Sequence, residues 1–202
     1  MRTWAIVVAA GTGRRFGGAK QLEELDGLPL WKRATTALIE GGVDQVVVVG
    51  EDVGGVPGGH RRQDSVANGL LHVPDGVDYV LIHDAARAAA SSALVAVVIA
   101  RLSEGDVDAV VPAIPVRDTI RRVDGEDAKG TVDRADLVAV QTPQGFRTQA
   151  LRRAHGEIRD DVTDDAQMIE RLGGRVVVVP GEPTNLKVTY REDLELLRGM
   201  VQ

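Results

Sequence analysis

The stretch Trp4-Ala5-Ile6-Val7-Val8-Ala9-Ala10-Gly11-Thr12-Gly13-Arg14-Arg15-Phe16-Gly17-Gly18-Ala19-Lys20 decides the architecture. A few apolar, partly β-branched residues pass straight into a loop of glycines and cations. Unbroken apolar character, rather than alternation, suits a strand covered on both faces, as in a parallel sheet. The glycines let backbone N–H groups turn towards an anion without obstruction by a Cβ. Two arginines and a lysine then supply the positive charge that a polyphosphate needs. Neither common phosphate loop fits: a dinucleotide-binding loop wants glycine where Phe16 stands, and a Walker loop places Lys-Ser or Lys-Thr after its last glycine. Taken alone, the stretch also reads as an ordinary glycine-rich turn with exposed basic residues.

Working outward, similar apolar runs recur at Val46–Val49, Tyr79–Ile82, Ala109–Val111 and Val176–Val179, giving five predicted strands with the first. The segments between them are long enough for crossover helices, so the fold class is α/β, a mostly parallel, Rossmann-like sheet flanked by helices. Ligands of such sheets sit at the carboxyl ends of the strands. Helix starts are predicted at Pro29 before Leu30–Glu40, at Ser91 or Ser92 before Ala93–Leu102, and at Thr163 before Asp164–Leu172. Gly41-Gly42 and Gly173-Gly174 mark two helix ends.

One segment breaks the alternation. Pro115–Val140 is rich in charge, carries β-prone pieces at Asp118–Val123 and Gly130–Asp133, and turns at Asp124-Gly125-Glu126-Asp127. It reads as a protruding β-arm. A two-stranded ribbon is marginal by itself in water, so a second subunit, giving a homodimer through the arm, is its natural partner. The 202 residues otherwise read as a single domain spanning 1–202, with no linker or repeat.

Composition excludes several classes. The absence of cysteine removes zinc–thiolate sites, thiol catalysis and disulfides together. A formal charge of −6 disfavours a general nucleic-acid binder, whose affinity would come from neutralising phosphates. No apolar run approaches the ~20 residues that cross a bilayer, and Ala93–Ala100 reads as a core helix, so no membrane partner is expected. The apolar start, lacking a cleavage-site pattern, makes a cytoplasmic location the expectation.

The ordered motifs carry a resemblance. Ala-Ala-Gly-x-Gly-x-Arg followed by Lys20-Gln21 is similar to the signature of nucleotidyltransferases acting on sugar and polyol phosphates. Gly58-Gly59-His60-Arg61-Arg62-Gln63-Asp64-Ser65-Val66, His83-Asp84-Ala85-Ala86-Arg87, Pro115-Val116-Arg117-Asp118-Thr119, Thr131-Val132-Asp133-Arg134, Gln141-Thr142-Pro143-Gln144, Thr163-Asp164-Asp165 and Asn185-Leu186-Lys187-Val188-Thr189 together resemble the methylerythritol phosphate cytidylyltransferases within that family. They fall in the family's order and cover Ala9 to Thr189.

The resemblance implies transfer of a cytidylyl group from CTP to the phosphate of a small polyol, with Mg2+ and release of pyrophosphate. It makes Arg15, Lys20, Arg134 and Lys187 the catalytic cations. Ala9, Ala10, Gly11, Gly59, Ser65 and Asp84 would hold CTP, and Asp84, at a strand end, would also contact the metal. Arg87, Thr119, Arg134, Thr142, Thr163 and Lys187 would hold the acceptor. Plainer readings stand beside these: Ser65 as a helix N-cap before Val66–Leu71, Thr163 as an N-cap, Asp84 and Arg87 as a loop ion pair, Thr119 as a β-former, Arg134 and Lys187 as solvated charges, and Thr142 as a strand-end residue. His83 reads as a buried histidine meeting a backbone partner, while His60, His72 and His155 lack metal spacing. Departures from the family's pattern occur at Ala19 and Ala88, where proline is common, at His60, where an acid is frequent, and in the short spacer between Arg15 and Lys20. Ribitol phosphate is the alternative acceptor; a non-catalytic nucleotide-binding protein is a further reading. A dehydrogenase is disfavoured by Phe16.

Overall fold

In the computed structural model, residues 1–200 are described. In chain order the elements are β1 (Thr3–Val8), β2 (Glu24–Leu25), β3 (Leu28–Pro29), α1 (Leu30–Glu40), β4 (Gln45–Val49), α2 (Arg62–Leu70), β5 (Tyr79–Asp84), α3 (Ser92–Ser103) and β6 (Ala109–Pro115). There follow β7 (Ile120–Asp124), β8 (Asp127–Val132), β9 (Val138–Val140), β10 (Gln144–Arg147), α4 (Thr148–Glu157), α5 (Asp165–Arg171), β11 (Val176–Pro180) and α6 (Arg191–Met200). All five strands expected from the apolar runs are present. Three pairings among them run parallel: β1 with β4, β1 with β5, and β11 with β6.

The sheet order is β11-β6-β10-β5-β1-β4, with β9 added to β6. β10 is antiparallel to both of its neighbours, β5 and β6. Its sequence, Gln-Gly-Phe-Arg, carries no β-branched run, and so the apolar pattern gives no sign of it. Gly145 is required there: a Cβ would lie 2.6 Å from Leu102 Cδ1 and from Val98 Cγ1, where α3 crosses close over the strand.

The period of two along each strand feeds two cores. Ile6, Val80 and Ile82 face Val66 and Leu70 of α2, Leu151 of α4 and Met168 of α5. Ala5, Val7 and Leu81 face Ala34 and Leu38 of α1 and Val95, Val98 and Leu102 of α3. Covering both faces is what the uninterrupted apolar runs require. A third cluster joins Phe16 of the glycine loop, Leu25, Leu30, Val188 and Leu194 and Leu197 of α6, and so packs the loop onto the C-terminal helix.

Some expected boundaries are corrected. Leu30–Glu40 is helical throughout, and the Ser91 hydroxyl caps α3 by accepting from Leu94 N at 3.0 Å. The cap of α5 is Asp164, not Thr163: the Asp164 carboxylate accepts from Gln167 N at 3.0 Å. Nor is Ser65 an N-cap. The helix begins at Arg62, and Asp64 in its first turn accepts from Arg61 N at 3.0 Å. The arm is also shorter than 115–140. β6 extends to Pro115 and β9 pairs with it inside the main sheet, so the projecting part lies between them. There β7 and β8 form a separate two-stranded sheet, exposed along nearly its whole length. Among the described residues no helix is long and apolar enough to cross a membrane.

Candidate active site

The glycine loop closes on itself. Gly13, at φ +62°, accepts through its carbonyl from the N–H groups of Phe16, Gly17 and Gly18 at 2.9, 2.8 and 3.3 Å. A Cβ at Gly13 would sit 1.7 Å from Gly18 O, so no other residue fits this turn. Phe16 anchors the loop in the third core, and the Arg191 guanidinium lies 4.9 Å from its ring centroid. Arg15 lies 5.9 Å from the Tyr190 ring centroid. Lys20 donates from Nζ to Val188 O at 2.6 Å, which ties the loop to the chain segment carrying Lys187. Burial, with Lys187 beside it, pulls the Lys20 pKa below the ordinary lysine value.

Asp84 ends β5 with its side chain buried between two cations. Arg62 Nε donates to Oδ1 at 3.0 Å, and Lys187 Nζ donates to Oδ2 at 2.6 Å. Burial by itself would raise the Asp84 pKa, but Arg62 and Lys187 overrule it and hold the carboxyl far below the usual range. The plainer reading of an Asp84–Arg87 loop pair gives way to other contacts. The Arg87 guanidinium donates to the backbone carbonyls of Asn185 at 2.7 Å and Val140 at 3.1 Å. Arg87 thus straps the chain before Lys187 rather than neutralising Asp84.

A buried polar network fixes the same region. Gln141 donates to Glu182 O at 2.8 Å and accepts from Glu182 N at 3.0 Å, while Asn185 Nδ2 donates to Thr142 O at 2.8 Å. The irregular chain from Glu182 to Lys187 is thereby held against the start of β10. Thr142 is itself occupied: its hydroxyl accepts from Asp84 N at 3.1 Å and meets His83 Nδ1 at 2.8 Å. His83 Nδ1 therefore meets a side chain. Burial, with Arg87 and Arg62 opposing any added charge, pushes its pKa down to about 4.

These elements surround a cleft of about 410 Å³ at the carboxyl ends of β1 and β5. Ala9, Ala10, Gly11, Arg15, Lys20, Gly59, Ser65, Asp84 and Lys187 all line it. Within it, the Ser65 hydroxyl accepts from Gly59 N at 3.0 Å and donates to Arg61 O at 3.2 Å. Arg87, Thr119, Arg134, Thr142 and Thr163 are not among the lining residues. Thr119 and Arg134 are exposed on or beside the arm, and the Arg134 guanidinium donates to Arg117 O. Thr163 is exposed before α5 and offers its N–H to Gln167 Oε1.

Two cleft-lining arginines, Arg61 and Arg62, carry no role in the sequence pattern. Arg62 carries the larger role, since its other end reaches Asp165 on α5 at 2.6 Å. The run Arg61-Arg62 was visible, but nothing local distinguishes the inward guanidinium from its neighbour, which pairs with Asp64 and Asp161 at the surface. Among the described residues no three acidic or imidazole side chains gather as a metal cage. A lone cleft carboxylate, Asp84, instead fits a magnesium ion held through one protein oxygen ligand, with phosphates and water filling the rest.

A doubly wound sheet whose strand ends bring a glycine loop, six lysine or arginine residues and one carboxylate to a common cleft defines a nucleotide-binding α/β protein. Comparison with known proteins narrows that class. Residues 3–202 match the family described as 2-C-methyl-D-erythritol 4-phosphate cytidylyltransferase (IspD), and the chain belongs to that family. It is 45% identical over 216 residues to the protein of that name from Rhodococcus jostii, covering 98% of this chain and 94% of the relative. The bifunctional enzyme IspD/IspF of Nitratidesulfovibrio vulgaris is 42% identical over 98% of this chain, which spans 58% of that relative's length. The crystal structure of 2-C-methyl-D-erythritol 4-phosphate cytidylyltransferase from Thermus thermophilus superposes with a TM-score of 0.84 at 33% identity, covering 99% of this chain and 98% of that one.

Proposed function

We propose that this chain transfers the cytidylyl group of CTP to 2-C-methyl-D-erythritol 4-phosphate, forming 4-diphosphocytidyl-2-C-methyl-D-erythritol and pyrophosphate for isoprenoid precursor synthesis. The observation that carries the reading is the convergence of the glycine loop, Lys20, Asp84 and Lys187 on one cleft in a chain of this family. A phosphate oxygen of the acceptor attacks the α-phosphorus of CTP; the new P–O bond forms as the bond to the β-phosphate breaks, and pyrophosphate leaves with the bonding electrons. The protein's part is placement and charge. Arg15, Lys20 and Lys187 offset the negative charge that grows on the α- and β-phosphates. Backbone at Ala9–Gly11, with Gly59 and Ser65, receives the cytidine. Mg2+, when bound, neutralises the triphosphate, and Asp84 is the residue that would hold it.

The acceptor end is the less complete part of this chain's cleft. Arg87 and Thr142 are engaged with backbone and with His83, so their proposed role is to shape the acceptor site from behind. Thr119 and Arg134 require a second copy: in a two-fold homodimer each arm would reach the partner's cleft. The exposed Ile120, Val123, Val138 and Val140 support this reading, because they give the arm and β9 an apolar surface to bury. Thr163, ahead of α5, is assigned to the acceptor side on the family's pattern. The test is a pyrophosphate-release assay with Mg2+ that crosses CTP, ATP, GTP and UTP with methylerythritol phosphate and ribitol phosphate. CTP with methylerythritol phosphate should give the highest kcat/KM; equal or greater efficiency with ribitol phosphate refutes the acceptor.

A further inference from the structure

Behind the cleft a chain of charges runs outward from Lys187 and Asp84 through groups that nucleotide transfer has not used. Lys187 meets Asp84 Oδ2 at 2.6 Å, Arg62 Nε meets Asp84 Oδ1 at 3.0 Å, and Arg62 Nη1 meets Asp165 Oδ2 at 2.6 Å. His155 Nε2 closes it on Asp165 Oδ1 at 2.9 Å. The outer links are deeply enclosed, with side-chain exposures of 0% for Asp165 and 8% for His155. We propose that His155 and Asp165 are positioning residues for cytidylyl transfer: acting through Arg62, they fix Asp84 and hence the ammonium of Lys187 at the reacting phosphates. The inference rests on the function proposed above.

Geometry supplies the reason. Lys187 follows β11 on irregular chain, so no helix or strand sets the direction of its side chain, and Asp84 is the partner that does. Asp84 can direct it only if its own carboxylate is fixed, which falls to Arg62. A guanidinium is a planar fork, so clamping Nη1 at Asp165 also sets the plane in which Nε meets Asp84. Asp165 is held in turn by a ring on α4. Because a carboxylate only accepts, the imidazole presents Nε2–H to it. Burial would raise the Asp165 pKa, but Arg62 and His155 keep it ionised, so the acceptor persists.

Buried ion chains of this kind are poor sources of net stability, since apolar packing of similar volume often does as well. What this one provides is direction across three elements, α4, α5 and α2, into the cleft. Misplacing a reacting or stabilising group by about 1 Å can cost ~10²-fold in rate. Loss of an outer partner of a ligand-holding side chain typically costs about 10- to 100-fold.

The test compares His155→Phe, His155→Gln, Asp165→Asn and the double variant His155→Phe/Asp165→Asn in the full chain, with folded fraction measured by circular dichroism. His155→Phe should lower kcat about 10-fold while leaving KM for CTP within about twofold. His155→Gln, whose amide can donate in place of Nε2–H, should restore most of that loss. The double variant should be no slower than Asp165→Asn alone, as two links of one path are not additive. In the wild type, the Nε2–H proton resonance of His155, assigned by its disappearance in His155→Gln, should move when CTP is added. Wild-type kcat in folded His155→Phe, multiplying losses in the double variant, or an Nε2–H resonance unmoved by CTP would each overturn the inference; the last is read on the wild type, with His155→Gln used only to assign the signal. A wild type that releases pyrophosphate from CTP while His155→Phe is unimpaired refutes the relay alone, whereas an inactive wild type removes the underlying function as well.

Discussion

Acidification below about pH 6.5 should weaken this protein through His83. The ring is fully enclosed, its Nδ1 faces the Thr142 hydroxyl, and its Nε2 has no partner. Protonation would therefore bury a cation with an orphaned N–H near Arg87 and Arg62, which is why the pKa falls from the ordinary 6.5 to about 4. The unfolded chain takes up this proton near 6.5, and the folded chain refuses it until about 4. Stability is thus fully present above about pH 6.5 and is lost as pH falls through the window down to about 4. At about 1.4 kcal/mol per pH unit, the whole window is worth about 3 kcal/mol, and about 2 kcal/mol is gone by pH 5. His83→Leu is close in volume and removes both the titration and one hydrogen bond, so near pH 7.5 it should cost about 1 kcal/mol. The two stability curves should then cross between about pH 5 and pH 6, the variant being the more stable on the acid side. Urea unfolding of both proteins at half-unit steps from pH 4.5 to 8 measures this. Parallel curves across that range would show that His83 titrates normally in the fold and would refute the reasoning.

Asp84 gives a separate acid signature: its folded-state pKa is depressed, so its ion pairs stabilise above the ordinary 3.8 and are lost below it, and Asp84→Asn should flatten the stability slope below about pH 4 in the same urea assay. Lys20→Ala and Arg15→Ala should each lower kcat about 10²-fold with a much smaller change in CTP affinity, because their charges matter most at the five-coordinate phosphorus; steady-state kinetics showing a change in KM alone would remove that role. Lys20→Ala dimers mixed with Arg134→Ala dimers under subunit exchange should regain about a quarter of the sites, as each hybrid holds one intact composite site. Exchange demonstrated by mass spectrometry without returning activity would place Arg134 in its own subunit's site.

The sequence alone determined the elements whose pattern is local. Five apolar runs defined five strands because burial on both faces demands continuous apolar residues, and the glycine–cation loop after the first strand identified the ligand edge. The order of short motifs identified the family. Local pattern could not reveal β10, whose place between β5 and β6 depends on a glycine fitting beneath α3. Nor could it assign partners to the charges. Arg87 lies near Asp84 in the chain but binds backbone carbonyls, while Lys187, 103 residues away, takes the carboxylate. Arg62 and Arg61 are adjacent, yet one turns inward to two buried carboxylates and the other to the surface. His155 had no spacing that marked it, since its partner Asp165 becomes a neighbour only when α4 and α5 pack together. Ion pairs in a buried site are decided by which side chains the sheet and helices bring within about 3 Å, and that distance is a property of the tertiary fold rather than of the order of residues along the chain.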